Sequence, residues 1–395
     1  MSSIDSTQTA WKTLNREARI RVESWHRLCF TRDVFDPENP VLSELLEKSE
    51  TVPAKCVFIL DRGFEEACPG IRKAIENYGK VCEGIFRFER IRTIPGGEEA
   101  KNNGEVFESL VKTFDEIGLC RRSFVITVGG GAVLDVAGFA ASTVHRGIKL
   151  IRLPTTTLAQ ADSGVGVKNG INRFGKKNFL GTFNIPFGVI NDESFPTTLS
   201  DRDWRCGFSE AVKVALVRDR PFFDELEAKA DRLRERSFED AVPVIRHCAE
   251  LHFRHIVEGG DPFELAVARP LDFGHWAAHK IEQLTDYRLA HGEAVAVGVA
   301  LDTLYSAVRG YLPWPEAERI LTCLNRLGFT LYDDSMNDTE TLFEGLEEFR
   351  QHLGGRLAIT LLRQIGDPFD AHEIDGEGMR KALAHLSGRE ARPEI

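Results

Sequence analysis

Several things are scarce or missing in this 395-residue chain. Its eight cysteines (Cys29, Cys56, Cys68, Cys82, Cys120, Cys206, Cys248 and Cys323) form no CxxC pair. That argues against a disulfide framework or a cysteine-based zinc site and for reduced thiols. No apolar run approaches the roughly 20 residues that span a bilayer. The opening stretch, MSSIDSTQTAWKTLNREAR, has no apolar core of a secretory signal, so a cytoplasmic protein is expected. Positive charge is in deficit: 50 Lys and Arg against 61 Asp and Glu give a formal net charge of −11. Nucleic acid and anionic membrane are therefore poor candidates for the main partner, although a local cationic pocket for a small anion stays open. Internal repeats, low-complexity tracts, GxGxxG and HExxH are also absent.

What is present has the composition of a soluble globular protein, 42% hydrophobic and 28% charged. The length favours two domains. Up to about residue 198, short apolar runs alternate with helical patterns. RVESWHRLCFT (21–31), KCVFILD (55–61), IFRFERI, SFVITVGGG (123–131) and IKLIRLPTT (148–156) read as strands. VLSELLEK, CPGIRKAIENYGK (with Pro69 near its first turn), GEVFESLVKTFDEIGL and AVLDVAGFAAST read as helices. This alternation predicts an α/β half, residues 1–198, with a parallel sheet. From residue 199 to 395 the patterns are mostly helical, so a second domain is placed there, with the boundary near FPTTLSDRD (195–203). The two ends of the chain read as loose.

Four places carry chemistry. Gly129, Gly130 and Gly131 end a strand and open a helix, which suits either a pyrophosphate cradle or simply a tight turn. Asp61, at the end of an earlier strand, could accept hydrogen bonds from a ribose. PTTTLAQADSGVGVKNGINRFGKKNFLG reads as a long glycine-rich loop carrying Asp162, Lys168, Lys176, Lys177 and Asn178. It is either a phosphate site or a solvated loop. Glu210 and Lys213 share a helix face flanked by apolar residues, as a surface ion pair or a partly buried one. Finally, His275 and His279 share a helix face and His291 follows a short polar break. Three histidines so close suggest a metal or phosphate site, and Glu210 with two of them would make a catalytic zinc set. The competing histidines, His247, His252 and His255, lie on one long charged helix and read as surface residues.

Taken together, KCVFILD, GGEEAKN, GGGAVLDVAGFAASTVHRG, LPTTTLAQADSGVGVK, GKKNFLGTF, GFSEAVK, LDFGHWAAH and AHGEAVAVG resemble, in order and spacing, the sugar phosphate cyclases typified by dehydroquinate synthase. The resemblance covers nearly the whole chain. It implies a Rossmann-like NAD domain followed by a helical metal and substrate domain. It implies Glu210, His275 and His291 as metal ligands, for zinc or alternatively cobalt. It places NAD contacts at Asp61, Glu98, Lys101, Gly130, Gly131, Ala132, Asp135, Thr155, Thr156, Lys177, Thr198 and Leu199. Asp162, Lys168, Asn178, Lys213 and His279 match substrate and phosphate positions. Of these, Lys213, His279, Asp162 and Lys168 are the catalytic candidates. Arg146 matches an arginine that the family lends to a neighbouring subunit, which implies a homodimer.

Departures from the family pattern bear on the substrate. The positions of a Lys and an Arg that hold a substrate carboxylate read here as Arg254 and Ala268, with Arg269 one place later. Losing a carboxylate partner argues for a substrate without that group. The family's LNFGH is LDFGH, so Asp272 is expected to accept from sugar hydroxyls, and HLGGRLA offers no obvious lysine for the phosphate. DPFELAVARPLDFGHWAAHKIE and FRQHLGGRLAIT resemble the branch that cyclises sedoheptulose 7-phosphate, the 2-epi-5-epi-valiolone synthases. The implied reaction oxidises the sugar transiently with NAD, loses phosphate by β-elimination, re-reduces, and closes the ring by an aldol step, in C7-cyclitol natural product synthesis. Alternatives are sister cyclases making 2-epi-valiolone or desmethyl-4-deoxygadusol, dehydroquinate synthase itself, and a metal-dependent alcohol dehydrogenase.

Overall fold

A computed structural model describes residues 17, 18, 20, 22–49, 52–102, 104–263, 270–352 and 354–390. The amino-terminal half runs β1 (Leu28–Thr31), α1 (Val41–Glu47), β2 (Ala54–Asp61), α2 (Arg62–Ala67), α3 (Ile71–Val81), β3 (Phe86–Ile94), α4 (Glu99–Asn102), α5 (Gly104–Ile117), β4 (Phe124–Gly129), α6 (Gly131–Thr143), β5 (Lys149–Pro154), β6 (Lys168–Arg173), β7 (Lys176–Phe183) and β8 (Gly188–Asp192). Then come α7 (Asp201–Arg218), α8 (Arg220–Arg234), α9 (Phe238–Glu258), α10 (His275–Leu284), α11 (His291–Val308), α12 (Trp314–Arg326), α13 (Thr339–His352), β9 (Ile359–Gln364), β10 (Asp367–Ala371) and α14 (Gly376–Glu390).

Six strands form one parallel sheet in the order β1-β8-β5-β4-β2-β3. Its apolar strands follow from burial on both faces. In β2, Cys56, Phe58 and Leu60 enter a core with Leu42, Ile75 and Tyr78 of α1 and α3. The alternate residues Val57 and Ile59 enter a second core with Leu110 and Phe114 of α5 and Val133 and Ala137 of α6. The chain leaves β2 for β3 on one side and returns to β4 on the other. The crevice at such a reversal, outside the strand carboxyl ends, is where sheets of this kind bind ligands. Asp61 and Gly129 both end strands there.

The second half packs helices around α7 and α11. Residues Ala294–Ala307 of α11 are all buried, which is why that run is largely apolar all round and not striped. The antiparallel pair β9–β10 packs against this core through Leu361 and Leu362. No described helix is long and apolar enough to cross a membrane.

Several local expectations need correction. The stretch read as one glycine-rich loop is a π-helical turn, Ala159–Ser163, followed by the antiparallel hairpin β6–β7. Its alternation is hidden because Asn169 and Asn172 take buried positions and are held by side-chain hydrogen bonds. Gly170 and Gly181 face each other, and a Cβ on either would come within 2.9 Å of a carbonyl oxygen on the other strand. The short strand β8 passed unnoticed, as did α2, which Asp61 caps by accepting from Gly63 N at 2.8 Å. Helix α3 begins at Ile71, after Gly70 (φ +100°), so Pro69 lies in the preceding turn. Of 21–31, only Leu28–Thr31 is strand. Helix α14 extends through Glu390, and the last five residues lie outside the described part, as do most of the first 20.

Candidate active site

Glu210 sits mid-way along α7 with no exposure to solvent, and His275 and His291 are the first residues of α10 and α11. His275 Nε2 lies 3.6 Å and His291 Nε2 3.4 Å from Glu210 Oε1. A tetrahedral metal with bonds of about 2.1 Å sets neighbouring ligand atoms roughly 3.4 Å apart, so these residues fit one. The hydrogen bonding agrees. His275 Nδ1 is 3.2 Å from the Phe273 carbonyl, and His291 Nδ1 is 3.2 Å from Glu282 Oε2. Both partners accept, so each Nδ1 donates, and a neutral ring then turns an Nε2 lone pair toward Glu210. Oε2 of Glu210 is ion-paired with Lys213, whereas Oε1, the oxygen both Nε2 atoms face, accepts no well-formed hydrogen bond. Three electron-rich groups facing one another call for a cation between them.

His279 completes a cluster of three imidazoles with ring centres 5.5 to 5.9 Å apart. Burial, with Lys177 nearby, holds its pKa well below the usual histidine value, so it is a neutral base or acceptor. In the metal-free protein, burial would lower His291, but Glu282 outweighs that and pushes it up to about 9. Such a proton occupies the place a metal would take.

Sequence reasoning missed Glu282. It lies seven residues after His275 and three after His279, so the face rule that paired those histidines extends to it. Its carboxylate joins the metal cluster to the hairpin: Lys177 Nζ is 2.7 Å from Glu282 Oε1 and 3.5 Å from Glu98 Oε1. Nearby, Lys101 Nζ contacts Asp135 Oδ2 at 2.7 Å and the side-chain oxygen of Asn178. Asn172 ties Glu98 to the backbone of Asn178. Five of the expected cofactor and phosphate residues (Glu98, Lys101, Asp135, Lys177 and Asn178) thus form one network.

The other wall is Lys213, Asp162 and His252. Lys213 is buried and ion-paired with Glu210. Burial would push Glu210 up and Lys213 down, but their attraction wins and both remain charged. Burial would likewise raise Asp162, yet Lys213 and His252 hold it below its ordinary value. His252 is the correction here. Read as a surface residue, it is mostly buried, with Nδ1 2.8 Å from Asp162 Oδ1. Its neighbours His247 and His255 do stay away from the site, on Asp219 with Phe222, and on Arg218. Arg152 was also missed. Fully buried, it donates to the carbonyls of Ser163, Gly164, Gly166 and Lys168 and to Asn169 Oδ1, shaping the turn between Asp162 and Lys168. A charge inside the apolar strand LIRLP was its signal.

The geometry of the glycine turn suits an anion cradle. Gly130 caps α6 without a side chain, leaving the first-turn N–H groups of Gly131 and Ala132 free of a side-chain acceptor. Gly130 N donates to Asp61 Oδ2 at 3.3 Å. A Cβ on Gly131 would come within 2.8 Å of Ser163 Oγ, so the turn is tightly enclosed. Thr155 N donates to Gly129 O, and Thr156 Oγ1 accepts from Ala159 N, placing both threonines on this edge.

Other expected residues stand apart or at the margin. Thr198 and Leu199 lie on the connector after β8. Lys168 is exposed at the start of β6, and Asp272, half-buried, is close enough to raise Lys213. Arg146 is exposed and lines a separate surface cavity of about 390 Å³ with Cys120, Arg121, Arg122 and His145. Arg254 faces solvent on α9, so the residue that α9 sends to the site is His252. Ala268 and Arg269 lie outside the described residues.

Two family models match the chain, 3-dehydroquinate synthase N-terminal over residues 91–206 and 3-dehydroquinate synthase C-terminal over 207–348. A 2-epi-valiolone synthase of Actinosynnema mirum is 35% identical over 297 residues, 74% of this chain and 77% of that one. A 2-epi-5-epi-valiolone synthase of Streptomyces glaucescens is 32% identical over 375 residues, 93% and 92% of the two chains. A 3-dehydroquinate synthase of Halorhodospira halophila is 35% identical over 299 residues, 75% and 80%. Among solved structures, the 2-epi-5-epi-valiolone synthase of Streptomyces hygroscopicus, with NAD+ and Zn2+ bound, superposes with a TM-score of 0.86 at 26% identity. That match covers 95% of this chain and all of the other.

Proposed function

Because the chain belongs to the 3-dehydroquinate synthase family of sugar phosphate cyclases, we propose that it converts sedoheptulose 7-phosphate to 2-epi-5-epi-valiolone and inorganic phosphate, as an NAD- and zinc-dependent carbon–oxygen lyase. In this reading residues 1–198 hold NAD, residues 199–395 hold the metal, and the enzyme is a cytoplasmic homodimer serving C7-cyclitol synthesis.

The choice of a substrate without a carboxylate rests on α9. Arg254 faces solvent, and the side chain that reaches the site, His252, is already engaged by Asp162. A substrate carboxylate beside Asp162 would meet a like charge, whereas sugar hydroxyls can donate to Asp162 and Asp272.

When bound, zinc held by Glu210, His275 and His291 supplies a Lewis acid, and NAD cradled by Gly130, Gly131, Ala132 and Asp61 supplies a hydride acceptor that is restored by the end of the cycle. The remaining work falls to side chains. Lys213 Nζ, fixed beside Glu210 and Asp162, stabilises negative charge developing on substrate oxygen. The neutral imidazole of His279 takes the proton adjacent to the transient ketone or shields the leaving phosphate. Lys168, Asn178 and the hairpin backbone bind the phosphate, with Arg146 of a second copy supplying the guanidinium that its own chain carries away from the site. The enclosed crevice between hairpin and helices keeps the open-chain product near the conformer that closes.

The test is an incubation with sedoheptulose 7-phosphate, NAD and zinc, following free phosphate and reading the product by NMR. Phosphate release with a cyclitol and without accumulating NADH is expected. Turnover of the carboxylated heptulosonate phosphate alone would overturn the reading, and net NADH would indicate a dehydrogenase. The similarity to a 2-epi-valiolone synthase makes that epimer the second reading, and the same spectrum separates the two.

A further inference from the structure

One buried acid has no part in the chemistry above. Asp302, inside α11, has no exposure to solvent and pairs with no cation among the described residues. Its carboxylate takes two neutral donors instead. Trp276 Nε1 donates to Oδ1 at 2.9 Å and Gly274 N to Oδ2 at 3.1 Å. Those donors bracket His275. Burial without a counter-charge pushes the Asp302 carboxyl up to about 7 against the pull of both. Keeping so costly a group calls for a reason beyond packing.

The reason lies in one peptide plane. The N–H that Asp302 receives belongs to Gly274, and the carbonyl of that same peptide unit is Phe273 O. That carbonyl accepts from His275 Nδ1 at 3.2 Å. A peptide is planar with its N–H and C=O directed oppositely, so fixing one end aims the other. Gly274 adopts φ +77°, and a Cβ there would meet Val299 N at 2.5 Å, so α10 and α11 interlock at this point. That close approach brings Asp302 of α11 onto the Gly274 N–H.

We propose that Asp302 is a positioning residue for His275, acting through the Phe273–Gly274 peptide to hold the imidazole in the orientation and tautomer that present Nε2 to a metal shared with Glu210 and His291. The relay runs carboxylate, peptide N–H, peptide carbonyl, Nδ1–H. It extends the usual arrangement, in which a ligating histidine gives its second N–H to a carboxylate or carbonyl. The inference rests on the metal reading of the Glu210 cluster.

The test is zinc affinity of the metal-free full-length protein by competition with a chromophoric chelator, alongside thermal unfolding of the same metal-free samples. Asp302→Leu keeps the volume and removes both acceptors, leaving the Trp276 Nε1–H and Gly274 N–H unpaired, so the unfolding scan is expected to show a lowered Tm and identifies the samples that remain folded for the affinity comparison. Its zinc affinity is expected to fall about 10- to 100-fold. Trp276→Phe removes the other donor but leaves the peptide held, so its affinity should change less than about threefold. Should Asp302→Leu not fold, Asp302→Ala carries the same expectation. Wild-type affinity in a folded Asp302 variant would overturn the proposal, as would equal losses in the Trp276 and Asp302 variants. Failure of the wild-type protein itself to bind zinc would instead overturn the metal reading.

Discussion

Oε2 of Glu282 lies 3.2 Å from Nδ1 of His291, and the other oxygen of that carboxylate lies 2.7 Å from Nζ of Lys177. One buried side chain therefore orients the His291 ring, a ligand in the proposed metal site, and restrains Lys177. Glu282→Ala frees the His291 ring and leaves Lys177 with Glu98 alone. Zinc affinity should fall about 10- to 100-fold. Glu282→Gln, which keeps an acceptor for Nδ1, should lose less. Chelator competition measures both, and equal zinc affinity in wild type and Glu282→Ala would remove Glu282 from the metal site.

Lys213 balances two carboxylates, the buried Glu210 and the partly buried Asp162. Substituting methionine keeps the stem and removes the charge. If the ammonium stabilises developing oxyanion charge, Lys213→Met should lower kcat for phosphate release by roughly 10²- to 10³-fold. NAD affinity, which in the proposed reading is set at the glycine turn beyond β2 and β4, should hold. A variant that keeps kcat within a few-fold of wild type would reduce Lys213 to a structural counter-ion.

His252 offers a test of the substrate wall. His252→Phe keeps a planar ring but leaves Asp162 without its 2.8 Å partner. Asp162 should then be misplaced for hydroxyl binding, raising KM about tenfold, equivalent to about 1.4 kcal/mol, with a smaller effect on kcat. Steady-state phosphate release gives the split. An unchanged KM would place His252 outside substrate recognition.

The sheet was legible because strands buried on both faces write unbroken apolar runs, and the histidine set was legible because helical spacing brings His275 and His279 to one face. The hairpin β6–β7 was not. Two of the four buried positions in β6 are asparagines, held by Glu98, Asn102 and Arg152 from elsewhere in the chain. His252 failed for the related reason that nothing local distinguishes it from His255, one turn on; only the approach of Asp162 from the other half of the chain separates them. Long-range polar pairing leaves no period in a sequence, whereas burial of apolar side chains does.

His26 shows how such a contact can set acid stability. Its Nε2 lies 2.8 Å from the carbonyl of Val165, in the turn leading to Lys168, and its ring packs 5.0 Å from Phe253 beside His252. Burial depresses its pKa from 6.5 to about 4, with Arg152 and His252 adding positive charge nearby and the Val165 bond pulling the other way. The folded state therefore resists a proton that the unfolded state accepts below pH 6.5. Unfolded protein binds more protons between pH 6.5 and 4, so stability is present in full above 6.5 and declines as pH falls to 4. The contribution is at most about 3 kcal/mol. His26→Gln can still donate to Val165 O but has no proton to gain. Its Tm should fall less steeply than that of wild type between pH 6.5 and 4.5, with the two curves closest in slope above pH 7. Curves that stay parallel across the whole range would mean that acid sensitivity arises at other groups and that His26 is a packing residue only.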